Sequence, residues 1–184
     1  MDIMIKYGQD LSVEALYSIL ALDLTVFGND ILTDEGMALK RFLKFKDSII
    51  AAYSGNTLMG FICFYNVDPS IYKRARSQQE YFDDNLCEVD VKPLTKGVGN
   101  HILMFDLVID KPFRNEGLSI MLLDAVRDYL KEKHQDGYAI DHVFGYAITP
   151  EGFKILSSFG GRERWTRENI SFLELNKELF LRLL

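Results

Sequence analysis

From Ser12 the apolar positions recur at helical steps, with Val13, Leu16, Tyr17, Leu20 and Leu24 three and four residues apart, and the pattern runs out near Gly28. A short strand is expected before it, over Ile3–Tyr7. Thr33 is placed to cap a second helix running to Phe45, with Met37, Phe42 and Phe45 among its apolar positions. The period then shortens: Ser48–Ser54 and Thr57–Val67 read as two strands joined by Gly55-Asn56, a turn pair that tolerates positive φ. Residues 68–100 break the rhythm with Asp68-Pro69, a basic run (Lys73, Arg74, Arg76), an acidic run (Glu80, Asp83, Asp84, Glu88, Asp90) and Gly97/Gly99. They read as an inserted lobe or long loop with a helix around Ile71–Phe82, either a solvated excursion or a wall facing a substrate.

The rhythm resumes in His101–Ile109, a nearly continuous apolar run of the kind a buried central strand shows, interrupted by Asp106. A tight connection over Asp110–Gly117 leads into an amphipathic helix, Leu118–Lys133, whose apolar face carries Leu118, Met121, Leu122, Ala125, Val126 and Tyr129. Tyr138–Thr149 reads as a strand and Pro150–Phe159 as a short helix with proline in its first turn and Gly160-Gly161 at its stop. Glu151 suits the positive end of that helix. Arg162–Thr166 and Ile170–Leu175 form a closing hairpin, and Lys177–Leu184 a last helical turn or two. The order β-α-α-β-β-(insert)-β-α-β-α-β-β predicts an α/β chain of the α+β three-layer kind, with helices flanking a mixed sheet.

Composition narrows the function classes. The 184 residues, 48% hydrophobic and 26% charged, suit one domain over 1–184 with its insert at 68–100, and a chain of this length buries about 70% of its unfolded surface. Twenty-one basic against 27 acidic residues give a net charge of −6, which argues against nucleic acid or an anionic membrane as a partner. Two cysteines, Cys63 and Cys87, make neither a disulfide scaffold nor a zinc spacing, so no metal is expected, and both read as small core or loop residues. An early acid at Asp2 and the lack of any long apolar run speak against a signal peptide or membrane span and make a cytoplasmic protein the expectation.

The segment with chemistry in it is Leu107-Val108-Ile109-Asp110-Lys111-Pro112-Phe113-Arg114-Asn115-Glu116-Gly117-Leu118-Ser119. A buried strand, a short loop and a helix start with small residues at Gly117 and Ser119 can hold an anion on free backbone N–H groups, although Gly117 could equally serve only to shape the turn. No P-loop is present, and Gly97-Val98-Gly99 lacks a third glycine and precedes a strand, so it is a poor dinucleotide site. Asp106 is the first candidate general base, because a carboxylate in an apolar strand needs a partner or keeps its proton, and an ion pair is the structural alternative. Asp110 is the second, with turn capping as its alternative. His101 and His142 could act through water but suit solvated strand ends.

Arg114-x-x-Gly117-x-Ser119 after an apolar strand resembles the R/Q-x-x-G-x-G/A pyrophosphate signature of the GNAT acyltransferases, and the element order is similar outside 68–100. The resemblance implies a mixed, mostly antiparallel central sheet and acetyl-CoA as co-substrate. Backbone groups of Leu107, Val108 and Ile109 would hold the pantetheine arm, and amides from Arg114, Asn115, Glu116, Gly117, Leu118 and Ser119 the pyrophosphate. It implies direct transfer of an acetyl group to a primary amine of a small molecule or protein, the acceptor being unidentified. The alternative is a CoA-binding or protein-interaction module with little or no turnover. Dimers are common in that family, so a homodimer is one state the resemblance allows. Where the family often carries a tyrosine as general acid this chain has Leu156, leaving Tyr146, Ser157 and Ser158 as substitutes, and Ser119 stands where glycine or alanine is usual.

Overall fold

The computed structural model describes residues 2–28, 34–83 and 85–183. Seven strands form one sheet: β1 (Met4–Tyr7), β2 (Ile49–Ser54), β3 (Thr57–Val67), β4 (Asn100–Ile109), β5 (Ile140–Ala147), β6 (Gly161–Arg167) and β7 (Ile170–Leu175), in the spatial order β1-β2-β3-β4-β5-β7-β6. Every neighbouring pair is antiparallel except β4 and β5. The mixed sheet expected from the element order, and its mostly antiparallel character implied by the family resemblance, are both observed.

The helices are α1 (Val13–Phe27), α2 (Glu35–Lys44), α3 (Pro69–Ser77), α4 (Leu118–Gln135), α5 (Pro150–Ser158) and α6 (Lys177–Phe180). Ser12 caps α1, its side chain accepting from the Ala15 N–H. Thr33 lies outside the described residues; the side chain that caps α2 is Asp34, accepting from the Met37 N–H. The helix expected around Ile71–Phe82 is instead Pro69–Ser77, because Asp68 accepts from the Ser70 N–H and Pro69 opens the first turn. The β2–β3 turn puts Gly55 at φ +56°, as a two-residue hairpin requires.

Successive side chains of a strand face opposite sides of its sheet, and β3 divides accordingly. Phe64 meets Phe45 and the α4 residue Tyr129 on one side, while Tyr65 meets Arg41 of α2 and Phe105 on the other. Helix α1 packs on β3 and β4, α4 on β2 to β4, and α5 on β5 and β7. Buried Leu16, Ile19, Phe42, Leu122, Val126 and Phe144 show where the core lies on the two faces.

The 68–99 connection is anchored in the body of the protein. Ile71, Ala75, Phe82, Leu86 and Val91 are buried, and Val91 makes a bridge to Val67. At its base the Asn100 side chain is 1% exposed and fully used: its oxygen accepts from Asn66 Nδ2 and the Thr95 N–H, and its nitrogen donates to the carbonyls of Thr95, Val98 and Ala139. Asn66 donates to the Pro93 carbonyl and accepts from the His101 N–H.

Above this network the two histidines depart from the expectation of solvated strand ends. His101 and His142 are register partners across the parallel pair, with Nδ1 atoms 2.9 Å apart and Tyr72 stacked on His142 at 3.8 Å between ring centroids. Only one of the facing nitrogens can carry a hydrogen comfortably. Burial holds both rings below the ordinary histidine range, and each ring also feels charged neighbours.

Two outcomes follow from these contacts. Asn100→Ala strands buried backbone groups at the base of the 68–99 segment and should cost about 3 kcal/mol, read as a fall of about 6–12 °C in Tm. The histidine pair favours the neutral rings in the fold, so the unfolded chain binds more protons below its pKa near 6.5. Stability should therefore be lost as pH falls from about 7 to about 5.5, and His142→Gln should shrink that loss in urea titrations.

Candidate acyl-transfer site

Strands β4 and β5 run side by side only from Asn100 to Met104, with Met104 opposite Gly145 the last pair. Beyond it β4 pairs with β3 alone and β5 with β7 alone, so the two parallel neighbours part inside the sheet. Two local features set the parting point. A bulge in β4 inserts Phe105 between residues paired to Cys63 and Phe64, which bends the strand. Gly145 lets the strands touch just before they separate, since a Cβ there would lie 3.0 Å from the Met104 carbonyl oxygen. One backbone edge of β4, over Phe105–Ile109, thereby lacks a strand partner.

The open edge leads to the start of α4. Among the described residues, five of the six α-helices have a side-chain cap at their N-terminus: Ser12, Asp34, Asp68, Thr149 and Asn176. Helix α4 starts instead at Gly117, at φ +75° with no side-chain cap and no acid in the first turn. The N–H groups of Leu118, Ser119 and Ile120 have no carbonyl of their own helix to reach, and the helix dipole adds partial positive charge there. A Cβ built on Gly117 meets nothing within 4 Å, so the space over these amides is open. Asn115 also has positive φ (+74°), and Arg114 folds back so that Nε donates to the Ile109 carbonyl at 3.3 Å. These residues fit a pyrophosphate: bare amides, a dipole and no side chain in the way.

At the parting point lies a cavity of about 180 Å³. Asp106, Leu107, Tyr146 and Leu156 all line it, whereas Asp110, Ser157 and Ser158 do not. Asp110 sits at the entrance to a 3-10 turn, its N–H donating to the Met59 carbonyl and its side chain capping nothing. Tyr146 donates its hydroxyl to the Glu80 carbonyl at 2.7 Å, and burial raises its pKa above the ordinary tyrosine value. Leu156, 8% exposed, fills its place on the wall with an aliphatic side chain.

Asp106 faces Cys63 across the β3–β4 ladder. The Cys63 thiol is pushed up to about 12, first by burial and then by the charge of Asp106, so it holds its proton and is a poor nucleophile. Around it stand charged groups that the sequence reading passed over. Arg41 is only 2% exposed, yet donates from Nε to the Tyr65 hydroxyl and from Nη1 to the Leu86 carbonyl at 2.6 Å. Its guanidinium lies 5.2 Å from the centre of the Phe105 ring. Asp23 is buried on α1, and neither it, Arg41 nor Asp106 is without a partner. The signal was available: Asp23 follows Ile19 by four residues and Arg41 follows Ala38 by three, so each charge occupies the apolar stripe of its helix. Tyr81, Phe82 and Asp83 bring the 68–99 segment to the same cavity, in keeping with the wall reading of that segment; Asp84 lies outside the described residues.

The site thus consists of a splayed parallel strand pair beside an uncapped helix start. The match of residues 13–144 to the acetyltransferase (GNAT) family shows that this chain belongs to that family. Solved structures agree in fold. The loading GNATL domain of CurA from Lyngbya majuscula superposes with a TM-score of 0.68 at 12% identity, covering 97% of this chain and 99% of that one. An N-acetyltransferase from Staphylococcus aureus Mu50 gives 0.60 at 15% identity, covering 96% and 99%. The NatC complex bound to Gag peptide and CoA gives 0.59 at 13% identity, covering 95% and 96%. No curated protein matches by sequence. The family supports acyl transfer as the general activity. Among the described residues no group of three or more metal-ligating side chains is gathered, and no helix is long and apolar enough to cross a membrane.

Filling the space over the α4 amides should separate folding from anion binding. Gly117→Val is expected to cost about 1–2 kcal/mol for a β-branched residue at positive φ. It should also remove most of the stabilisation expected from CoA binding to the parent protein, which at a hundredfold excess over Kd is about 2.7 kcal/mol and is read as a rise in Tm. Differential scanning fluorimetry with and without CoA reads both effects, and an undiminished CoA shift in the variant would refute the assignment.

Proposed function

We propose that the chain is an acetyl-CoA-dependent N-acetyltransferase that moves an acetyl group to a primary amine by direct attack. The observation that carries the proposal is the continuous path from the Asp106 cavity, along the unpartnered edge of β4, to the uncapped start of α4. Acetyl-CoA supplies an acyl thioester. Backbone groups of Leu107, Val108 and Ile109 take the pantetheine arm as a further strand would be taken, satisfying an edge that otherwise lacks a partner. Amides from Arg114 to Ser119 take the pyrophosphate.

Asp106 serves as general base, directly or through one water, because it is the carboxylate of β4 that lines the cavity. Asp110, four residues along, lies outside the cavity lining. The amine forms the new C–N bond as the C–S bond breaks, and its surplus proton ends on the leaving thiolate. Tyr146 holds the Glu80 carbonyl against β5 and shapes the wall. Cys63, protonated and buried, supports transfer without an acyl-enzyme.

One observation favours a second reading, binding without turnover: Leu156 cannot donate a proton, and Tyr146 spends its hydroxyl on Glu80. Thiol release in the presence of an amine panel decides between the two. The transferase reading expects steady release of free CoA, no acetylated protein by intact mass spectrometry after acetyl-CoA alone, and a fall in kcat of about 10²–10⁴ in Asp106→Asn. The KM for acetyl-CoA should change little. Release that is undetectable across the panel, with CoA still bound, would establish the binding module instead.

A further inference from the structure

The cavity beside β4 begins where the edge assigned to pantetheine ends. Leu107 lines it, whereas Val108 and Ile109, the next two residues of that edge, do not. With the pyrophosphate held at α4, a thioester carried along the edge reaches the cavity by its sulfur end. The group beyond the sulfur, the acyl group, is then the part that enters. The walls it meets are apolar: Leu16 and Ile19 come from α1, Ala38 from α2, Phe61 from β3, Leu123 from α4 and Ile155 from α5.

The polar side chains among the described residues of the lining are already engaged. The Tyr146 hydroxyl donates to the Glu80 carbonyl, and the Tyr65 hydroxyl accepts from Arg41 Nε. Thr149 Oγ1 accepts from the Gly152 N–H, and Asp83 Oδ1 from the Asn85 N–H. Asp23, Arg41, Tyr81 and Asp106 have partners as well. The Cys63 thiol keeps its proton and behaves as a small apolar group. A polar occupant would surrender its water here without gaining a group that is not in use, whereas each buried methylene is worth about four-fold in affinity. Size sets the length of the occupant. The cavity holds about 180 Å³. An apolar protein cavity of about 150 Å³ takes the six carbons of benzene, and pockets for drug-sized ligands run to roughly 300–1,000 Å³. An acetyl group, with a single methyl beyond its carbonyl, leaves most of this space unfilled.

We infer that the site takes a linear, apolar acyl group of about four to six carbons in preference to acetyl, delivered as the corresponding acyl-CoA. This rests on the acyl-transfer reading for the position of the thioester, and it makes acetyl-CoA the shortest donor and not the best one. The transfer balances as it does for acetyl: the amine nitrogen bonds to the acyl carbon, the C–S bond breaks, and the surplus proton ends on the CoA thiolate.

The test is calorimetric titration of CoA, acetyl-CoA, butyryl-CoA, hexanoyl-CoA and succinyl-CoA into the protein with no amine present. Hexanoyl-CoA should bind at least about ten-fold more tightly than acetyl-CoA. Butyryl-CoA should exceed succinyl-CoA, an acyl group of equal carbon count that ends in a carboxylate, by at least about ten-fold. Ala38→Leu and Leu20→Phe put bulk into the lining from α2 and α1, and each should bring hexanoyl-CoA to within about three-fold of acetyl-CoA. The CoA-induced rise in Tm, kept in both variants, shows that they are folded. Three results overturn the inference while CoA itself still binds: hexanoyl-CoA no tighter than acetyl-CoA, succinyl-CoA as tight as butyryl-CoA, or a preference that both variants keep in full. Those results leave the acyl-transfer reading standing, whereas binding of neither CoA nor any acyl-CoA removes both. Thiol release with an amine panel is read in parallel. Hexanoyl-CoA that binds tightly but releases no CoA keeps the acyl site and removes the transferase reading.

Discussion

A sheet normally pairs every interior strand on both sides, and in this protein β4 does so for only half its length. The pairing with β5 stops at Met104 and Gly145, and from Phe105 onward the backbone groups on one edge of β4 have no strand to bond. Unpaired backbone in the interior of a sheet is costly unless water or a ligand supplies the missing partner. Both the position of the cavity and the route to α4 follow from that interruption. The bulge at Phe105 and the close approach allowed by Gly145 place it.

The same economy governs charge. With 27 acidic residues against 21 basic ones the protein has little positive side-chain charge to offer a polyanion. It has instead a helix whose first amides no side chain caps, while the other five α-helices among the described residues start under Ser, Asp, Thr or Asn. Acids gather at the opposite end of the β4 edge, where Asp23, Asp83 and Asp106 share a cavity with Arg41. One chain thus carries a helix start with uncapped amides and a cavity with charged side chains, joined by a strand edge.

How far the chain could be read depended on whether a signal was local. Helix starts and strands were legible to within a few residues, because caps such as Ser12 and Thr149 and the continuous apolar runs of β2 and β3 act over short distances. Gly117 was legible too, since its positive φ and lack of side chain are properties of one residue in a strand–loop–helix context. The histidines were not. His101 and His142 are 41 residues apart, and only the parallel register brings their nitrogens to 2.9 Å and stacks them with Tyr72. The 68–99 segment was ambiguous for the same reason: its runs of charge suggest a solvated loop, while Phe82, Leu86 and Val91 are anchors whose burial depends on partners distant in sequence.

By itself the sequence determined the α/β class, the element order, the anion-ready start of α4 and the placing of a carboxylate in the central strand, because periodicity, capping and glycine conformation are written into short stretches of chain. Tertiary structure decided that Asp106 lines the cavity and that Asp110 does not. It also decided that Tyr146 is tied to Glu80, and that Asp23, Arg41 and Tyr81 join the site from three separate elements. Those outcomes depend on where β4 leaves β5 and on which side chains the long connection brings across the gap. Both are matters of non-local packing that no spacing along the chain encodes.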